Sequence, residues 1–190
     1  MKSLLKTTAL TALIVLSFNA PTYATDTAAP GTPITVETLV DQAELLRIAA
    51  ALDAAVDAKD WVQARAFFTD TITVDFTSLV GGAPATIPAD GLIAGWSTNL
   101  TDEKTSFHLR GNHRVTFEED GAATLQSHGY AWNRMERGAL PENGGDPMWE
   151  VWGTYEHSFV PTDTGWKIDG MTFVVTAERG NAFVRNTPGS

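Results

Sequence analysis

The 190-residue chain contains no cysteine, which excludes disulfides, thiolate zinc sites and a cysteine nucleophile. Its four histidines are scattered, and neither HxH nor HExxH occurs. Also missing are the GxSxG, phosphate-loop and dinucleotide-binding patterns. We therefore expect a domain that rests on its hydrophobic core and a site that uses no metal or other cofactor.

Positive charge is scarce as well. The chain has 13 basic and 23 acidic residues, for a net charge of −10. Nucleic acids and anionic lipid surfaces bind basic patches, so the charge balance disfavours both as partners. Solubility is the simpler explanation of the acidic excess.

Only one long hydrophobic run occurs, from Ala9 to Phe18, with Lys2 and Lys6 before it and small residues up to Ala24 after it. This pattern is typical of a secretory signal peptide and is too short to span a membrane. We predict a signal peptide over 1–24, cleaved near Ala24, and export to the periplasm or the extracellular space. The mature protein would carry no membrane anchor and a net charge of −12.

The remaining sequence predicts one domain. A lead-in rich in Ala, Thr and Pro covers 25–35, the domain 36–181 and a tail 182–190. Apolar spacing predicts helices at Val36–Ala58, Trp61–Phe67 and Ala89–Asn99, and a strand at Thr71–Phe76. Alternating residues then predict four long strands at about Ser106–Glu118, Ala122–Arg137, Trp149–Pro161 and Gly165–Glu178.

This order of elements predicts an α+β fold, in which N-terminal helices pack on a curved, mixed but mostly antiparallel sheet. We expect a cone-shaped barrel whose open end is not filled by side chains. An apolar cavity with a few polar groups is the usual ligand site in such a fold.

Asp57 is the most informative residue of the first helix. It continues the line of Leu46, Ala50 and Ala54 at helical spacing, so its carboxylate should lie at the edge of the buried stripe. Its position near the helix C-terminus and the charge of Asp53 one turn earlier both disfavour ionisation. These effects predict a raised pKa, as a general acid or base needs, although an exposed Asp that helps to end the helix is the alternative.

Several segments resemble one protein family. They are VDAKDW, VDFTSLVGG, TSFHLRGNH, EEDGAAT, GTYEH and TGWKIDGMTFVVTAERGN, and they extend over nearly all of Val36 to Asn181. They are similar to the SnoaL-like branch of the nuclear-transport-factor-2-like superfamily. That branch includes polyketide cyclases, and scytalone dehydratase and ketosteroid isomerase are related. The resemblance implies the conical fold, but this fold hosts many reactions and non-catalytic modules.

The dehydratase pattern transfers only in part. Its helix-end motif Tyr-Asp-x-Lys-Asp-Trp is matched from Asp57 to Trp61, but Val56 stands in place of the Tyr. Its strand motif Asp-Tyr is Asp75-Phe76 here, so a second Tyr is missing.

The histidines of the dehydratase pattern are also matched in part. The pocket His is matched by His108, whereas the second His falls near Trp132 or Asn133. The resemblance thus implies an Asp57–His108 pair of general acid–base type.

Other candidate ligand contacts come from strand faces. Tyr130 and Trp132 share one face of their strand and Asn133 lies on the other, and the sequence leaves open which face lines the cavity. Asp75 either points into the cavity or caps the glycine-rich loop that follows. Tyr155 and Phe173 on later strands complete the predicted ligand contacts.

Two functional hypotheses follow. The first is a cofactor-free lyase or isomerase that acts on a small apolar carbonyl or cyclic compound, with Asp57 and His108 moving a proton. The second is an exported module that binds such a ligand without catalysis. Either protein is expected to form a homodimer through the outer face of its sheet.

Overall fold

The structure is a computed structural model that describes residues 31–142 and 144–186. The predicted signal peptide, residues 25–30 of the lead-in and residues 187–190 of the tail lie outside this part of the chain. The helices are α1 Val36–Asp57, α2 Trp61–Ala66, α3 Thr77–Val80, α4 Ala89–Asn99 and α5 Ala182–Asn186. The strands are β1 Phe68–Asp75, β2 Ala85–Pro88, β3 Lys104–Phe117, β4 Ala123–Met135, β5 Met148–Thr162 and β6 Gly165–Gly180.

The six strands form one mixed sheet in the order β2-β1-β6-β5-β4-β3. Strand β1 runs parallel to β6, with Val74 opposite Met171, and every other neighbouring pair is antiparallel. The predicted α+β class with a mixed, mostly antiparallel sheet is confirmed. Because β2 and β3 are the two edges and do not pair with each other, the sheet is open and not a closed barrel.

The sequence did not predict three short elements. Strand β2 pairs with β1 in a segment that reads as a glycine- and proline-rich loop. It ends at Pro88 on the outer edge of the sheet, where a missing backbone N–H is tolerated. Helix α3 follows β1 directly, and α5 begins after the predicted domain end at Asn181. Val184 of α5 is fully buried, so this helix packs with the domain.

Helix α1 lies on the concave face of the sheet, mainly against β3. Its buried stripe includes Leu45, Ile48, Leu52 and Val56 at helical spacing. Ala50 and Ala54, which the sequence predicted to lie along this stripe, are exposed, and Asp57 is partly buried at its edge. Before it, the backbone N–H of Thr32 donates to the carbonyl of Val115 at 2.7 Å, which ties the end of the lead-in to β3. No helix within the described residues is long and apolar enough to cross a bilayer.

Candidate functional site

Helices α1, α4 and α5 and the concave sheet face enclose a cavity of about 430 Å³. Most of its wall is apolar or aromatic, and includes Val56, Phe76, Trp96, Trp149, Val151 and Phe173. A smaller set of polar side chains interrupts this wall, among them Asp53, His108, Arg110, Asn133 and Tyr155. A mainly apolar cavity with few polar groups is the usual form of a small-molecule site.

Asp57 and His108 are in direct contact, with His108 in the cavity wall and Asp57 outside its lining. Asp57 is the last residue of α1, and its Oδ1 lies 2.7 Å from His108 Nδ1. Its other oxygen accepts the backbone N–H of His108 at 2.8 Å. The carboxylate is therefore held at both oxygens by one residue of β3, which fixes the orientation of the imidazole ring.

The pKa of Asp57 is lowered, not raised as its position in the sequence predicted. Burial is the largest single effect and raises the pKa, but the side-chain hydrogen bond and charge of His108, with the backbone N–H of His108, together outweigh it. Burial, the helix dipole and Asp53 are apparent from the sequence around Asp57, whereas the donors of His108 come from a strand 51 residues away.

An ionised Asp57 decides the tautomer of His108. A carboxylate can only accept hydrogen bonds, so the proton of the neutral imidazole resides on Nδ1. Nε2 then carries a free lone pair and has no hydrogen-bond partner within the described residues. Since His108 lines the cavity, this arrangement can accept a proton from a bound molecule while Asp57 stabilises the imidazolium that forms.

A second charged pair lies beside the first and was missed by the sequence analysis. Arg110 Nε and Nη2 each contact one oxygen of Asp53 at 2.5 Å, and both side chains are nearly buried. The third nitrogen, Nη1, lies 3.1 Å from Nε2 of the fully buried His157. Burial and the charge of Arg110 hold the pKa of His157 well below its usual range, so its ring stays neutral.

Tyr155 completes this buried group. Its ring lies over the Arg110 guanidinium, 3.9 Å from Cζ to the ring centroid, and stacks on Phe173 at 4.2 Å. Burial raises the pKa of Tyr155 to about 12. The phenol therefore stays protonated at neutral pH and can donate a hydrogen bond into the cavity.

The remaining predicted contacts separate by strand face. Asn133 lies in the cavity wall because the small-residue face of β4 is the inner one. Tyr155 on β5 and Phe173 on β6 lie in the cavity wall as well. Tyr130 and Trp132 lie on the outer face, where they stack on Trp152 and Phe107 respectively. The expectation that Tyr130 and Trp132 contact a ligand in the cavity is thus corrected, since side chains alternate along a strand.

Asp75 takes the capping alternative. Its Oδ1 accepts the backbone N–H of Thr77 at 3.0 Å and the Thr77 hydroxyl at 2.7 Å, at the start of α3. These two bonds lower the pKa of Asp75, and its side chain is not part of the cavity wall. The expectation that Asp75 contacts a ligand is therefore corrected, because its side chain caps the start of α3.

The two positions where the dehydratase pattern has Tyr are in the wall. Val56 and Phe76 line the cavity, so these two positions contribute apolar surface where hydroxyl groups would otherwise project. No cluster of three or more His, Cys, Asp or Glu side chains suited to a metal occurs in the described ranges.

Comparison with known proteins agrees with this architecture. The family described as SnoaL-like domain matches residues 37–172. No curated protein matches the chain. One similar solved structure is the Kfla4162 protein of Kribbella flavida, with 24% identity, 77% of this chain and 97% of that chain covered, and a TM-score of 0.71.

Two further solved structures are more distant in sequence. A putative scytalone dehydratase of Novosphingobium aromaticivorans is 19% identical, with coverage of 77% and 91% and a TM-score of 0.64. The hexachlorocyclohexane dehydrochlorinase LinA-type3 of Novosphingobium barchaimii is 11% identical, with coverage of 77% and 93% and a TM-score of 0.61. At these identities the likeness shows the fold alone. The family match over most of the described domain shows that this chain belongs to the SnoaL-like domain family.

Proposed function

We propose that this protein binds a small apolar carbonyl or cyclic compound in its cavity and transfers a proton on it without a cofactor, as a lyase or isomerase. The observation that carries the proposal is the Asp57–His108 contact of 2.7 Å, with His108 in the cavity wall and its Nε2 unpartnered among the described residues. The dehydratase and dehydrochlorinase names of two structural neighbours favour the same reaction classes.

The chemistry assigns a distinct role to each group. His108 Nε2 takes a proton from the carbon next to a carbonyl, and the bonding electrons move to the carbonyl oxygen. Tyr155 and Asn133 are uncharged donors of the wall that can hydrogen-bond this developing enolate oxygen. The imidazolium then returns its proton to another carbon in an isomerase, or to a departing hydroxyl group in a lyase. Asp57 keeps its charge throughout and orients the ring.

A non-catalytic binder is the second candidate. Val56 and Phe76 favour it, because apolar side chains stand where the dehydratase pattern has two phenols. In this case the cavity holds the same class of ligand, and the Asp57–His108 pair only supports the α1–β3 contact.

Hydrogen–deuterium exchange on a panel of cyclic ketones in deuterium oxide distinguishes the candidates without knowledge of the full reaction. An enzyme of the proposed type exchanges the protons next to the carbonyl of a bound ketone, which proton NMR detects. His108→Ala should abolish this exchange, and Asp57→Asn should slow it about 100-fold or more, since it removes the orienting carboxylate. His128→Ala is the matched control, because His128 is exposed on the outer face and pairs with Asn112.

Retention of exchange by His108→Ala would reject the proposed base. If native mass spectrometry of protein purified from its own host finds a bound small molecule and no ketone exchanges, the binder is the better description.

We also propose that the protein is exported, as its first 24 residues predict, and N-terminal sequencing of the mature chain should then begin at Thr25.

A further inference from the structure

The cavity has a second polar region, formed by α5 and the end of α4. Arg185 of α5 lines the cavity beside Asn99 of α4. The Arg185 guanidinium donates to the carbonyl of Leu79 and makes one longer contact, 3.3 Å, with Glu178, whose side chain is itself partly exposed. Its Cζ lies 6.0 Å from the Trp149 ring centroid, and a quarter of the side chain remains exposed. Arg185 is therefore a cation that a bound molecule can reach.

A second cation lies directly behind this region. Lys104, the first residue of β3, is fully buried, and its Nζ donates to Asn99 Oδ1 at 2.8 Å. No carboxylate of the described residues lies within ion-pair distance of this ammonium group. A buried charge without an opposite charge is costly, and an anion in the adjoining cavity would offset that cost.

Asn99 connects the two cations. Its Oδ1 accepts from Lys104, and its Nδ2 lies 3.4 Å from the backbone carbonyl of Arg185. Glu178, which contacts Arg185, is the single acidic member of this cluster among the described residues. Two positive charges against one partly exposed negative charge leave this end of the cavity positive.

The end of the cavity near His108 has a different balance. Arg110 is neutralised there by the two-pronged contact with Asp53, and Asp57 is ionised beside His108. An anionic group placed near His108 would therefore meet Asp57 with the same sign of charge. The charges of the wall thus favour an anion at the α5 end and an uncharged reacting carbon at the other.

The sheet separates the two ends by a known number of strands. His108 on β3 is opposite Ala131 on β4, Ala131 is opposite Val151 on β5, and Val151 is opposite Glu178 on β6. Three spacings of about 4.8 Å give roughly 14 Å between the backbones at the ends of this row, and His108 and Arg185 both line the one cavity. One ligand can therefore reach both ends.

We propose that the ligand of this cavity carries an anionic group, such as a carboxylate, which binds Arg185 in the positive region of Lys104 and Asn99, while its apolar ring body extends toward His108. This inference rests on the proposed ligand binding in the cavity and is independent of catalysis. It narrows the ligand class to ring compounds with one acidic substituent.

Two fluorescent probes that differ only in charge test the proposal. Anilinonaphthalene sulfonate carries a sulfonate, and phenylnaphthylamine has the same ring skeleton without it. The protein should bind the sulfonate more tightly, and each probe should displace the other. Arg185→Met should weaken sulfonate binding about tenfold, the equivalent of one charge-assisted hydrogen bond, and leave phenylnaphthylamine binding unchanged. Lys104→Met should weaken sulfonate binding in the same direction.

The controls separate charge from folding. Arg185→Lys keeps the charge and should retain most of the sulfonate affinity, whereas Arg47→Met removes an exposed arginine that pairs with Glu44 on α1 and should change neither probe. Equal loss of both probes in Arg185→Met, no loss of either, or the absence of any probe binding would overturn the proposal. Both probes report binding alone, so ketone exchange can fail while this result stands, and the two proposals are tested separately.

Discussion

The guanidinium of Arg110 and the carboxylate of Asp53 lie side by side across the α1–β3 contact, joined by two bonds of 2.5 Å. Asp57 and His108 form the neighbouring contact. Asp53 and Asp57 are four residues apart on α1, a rise of about 6.0 Å. His108 and Arg110 are two residues apart on β3, a rise of about 6.6 Å, so the two contacts lie side by side between the same helix and strand. The Asp53–Arg110 ion pair thereby helps to fix the distance between α1 and β3 at which Asp57 contacts His108.

Removing one partner of the Asp53–Arg110 pair should be costly. Arg110→Met leaves a buried carboxylate without its counter-charge, and we expect a loss of about 3–5 kcal/mol in the free energy of unfolding. Denaturant titration measures this loss. Glu44→Gln, which breaks the exposed Arg47–Glu44 pair on the same helix, is the matched control and should cost less than about 1 kcal/mol. Equal effects of the two substitutions would contradict the buried role of Arg110.

The lowered pKa of Asp57 predicts a pH dependence of stability. Because the folded pKa lies below the model-peptide value, the carboxylate stabilises the fold above that value and loses this effect as pH falls through the folded pKa. Asp57→Asn should therefore be less stable than the wild type by about 1–2 kcal/mol at neutral pH, and the difference should shrink below about pH 4. Thermal unfolding between pH 2 and 7 measures it.

Asp163→Asn, at the exposed β5–β6 turn, is the control for this series and should follow the wild type at every pH. A difference between Asp57→Asn and the wild type that stays constant down to the lowest pH would show that Asp57 has the same pKa in the folded and unfolded protein, which would contradict its lowered pKa.

The sequence predicted the fold well because the long elements carry clear periodicity. The buried stripe of α1 and the alternation of the four long strands are visible without any tertiary information. Strand β2 and helix α5 were missed because each is short, at 4 and 5 residues, and depends on packing against neighbours already in place.

The site could be predicted only in part. Asp57 and His108 are 51 residues apart, and their pairing came from the family resemblance. Once that pair is assumed, Asp53 lies one helical turn before Asp57 and Arg110 lies two residues after His108 on the same strand face. This spacing predicts the Asp53–Arg110 ion pair, but the prediction was not made from the sequence. The burial of Lys104 has no comparable signal, since a lysine at the start of a strand is ordinarily exposed.

Lys104 predicts a pH dependence of stability with the same sign as that of Asp57, but in an alkaline range. Burial lowers the pKa of Lys104 to about 8, so between pH 8 and the model value of 10.5 the unfolded chain binds more protons than the folded one. At neutral pH the buried ammonium group of Lys104 destabilises the folded protein. This cost disappears as the group loses its proton, so the free energy of unfolding increases as pH rises through this window. We expect Lys104→Met to be more stable than the wild type at pH 7, by on the order of 1–3 kcal/mol, with a smaller gain at pH 10. Lys59→Met is the control, and its unfolding free energy should lack this trend.

The outer face of the sheet is the surface through which we expect the homodimer to form. Phe107 and Leu109 are exposed there beside Trp132, and the Phe107 and Trp132 rings stack at 5.8 Å. We expect this aromatic surface to be covered by a second copy of the chain. Leu109→Glu should then shift the sedimentation coefficient to that of a monomer. Val62→Glu introduces the same charge at an exposed apolar position of α2 and should leave the assembly unchanged.

The shape of the cavity depends on a strand position without a side chain. Gly129 of β4 lies on the inner face, and a Cβ built there would overlap the ring of Tyr155 on β5. That ring is already confined by Phe173 on one side and by the Arg110 guanidinium near its centroid. Gly129→Ala therefore cannot be accommodated without moving Tyr155.

Gly129→Ala should reduce the free energy of unfolding by about 1–3 kcal/mol, the usual cost of overpacking. Displacement of Tyr155 should also change the affinity for phenylnaphthylamine, because Tyr155 lines the cavity. Gly111→Ala is the matched control: it is a strand glycine of β3 with no atom within 4 Å of the added Cβ, and both quantities should stay near the wild type. If Gly129→Ala binds the probe as the wild type does, Tyr155 does not shape the ligand site and its proposed contact with the enolate oxygen fails with it.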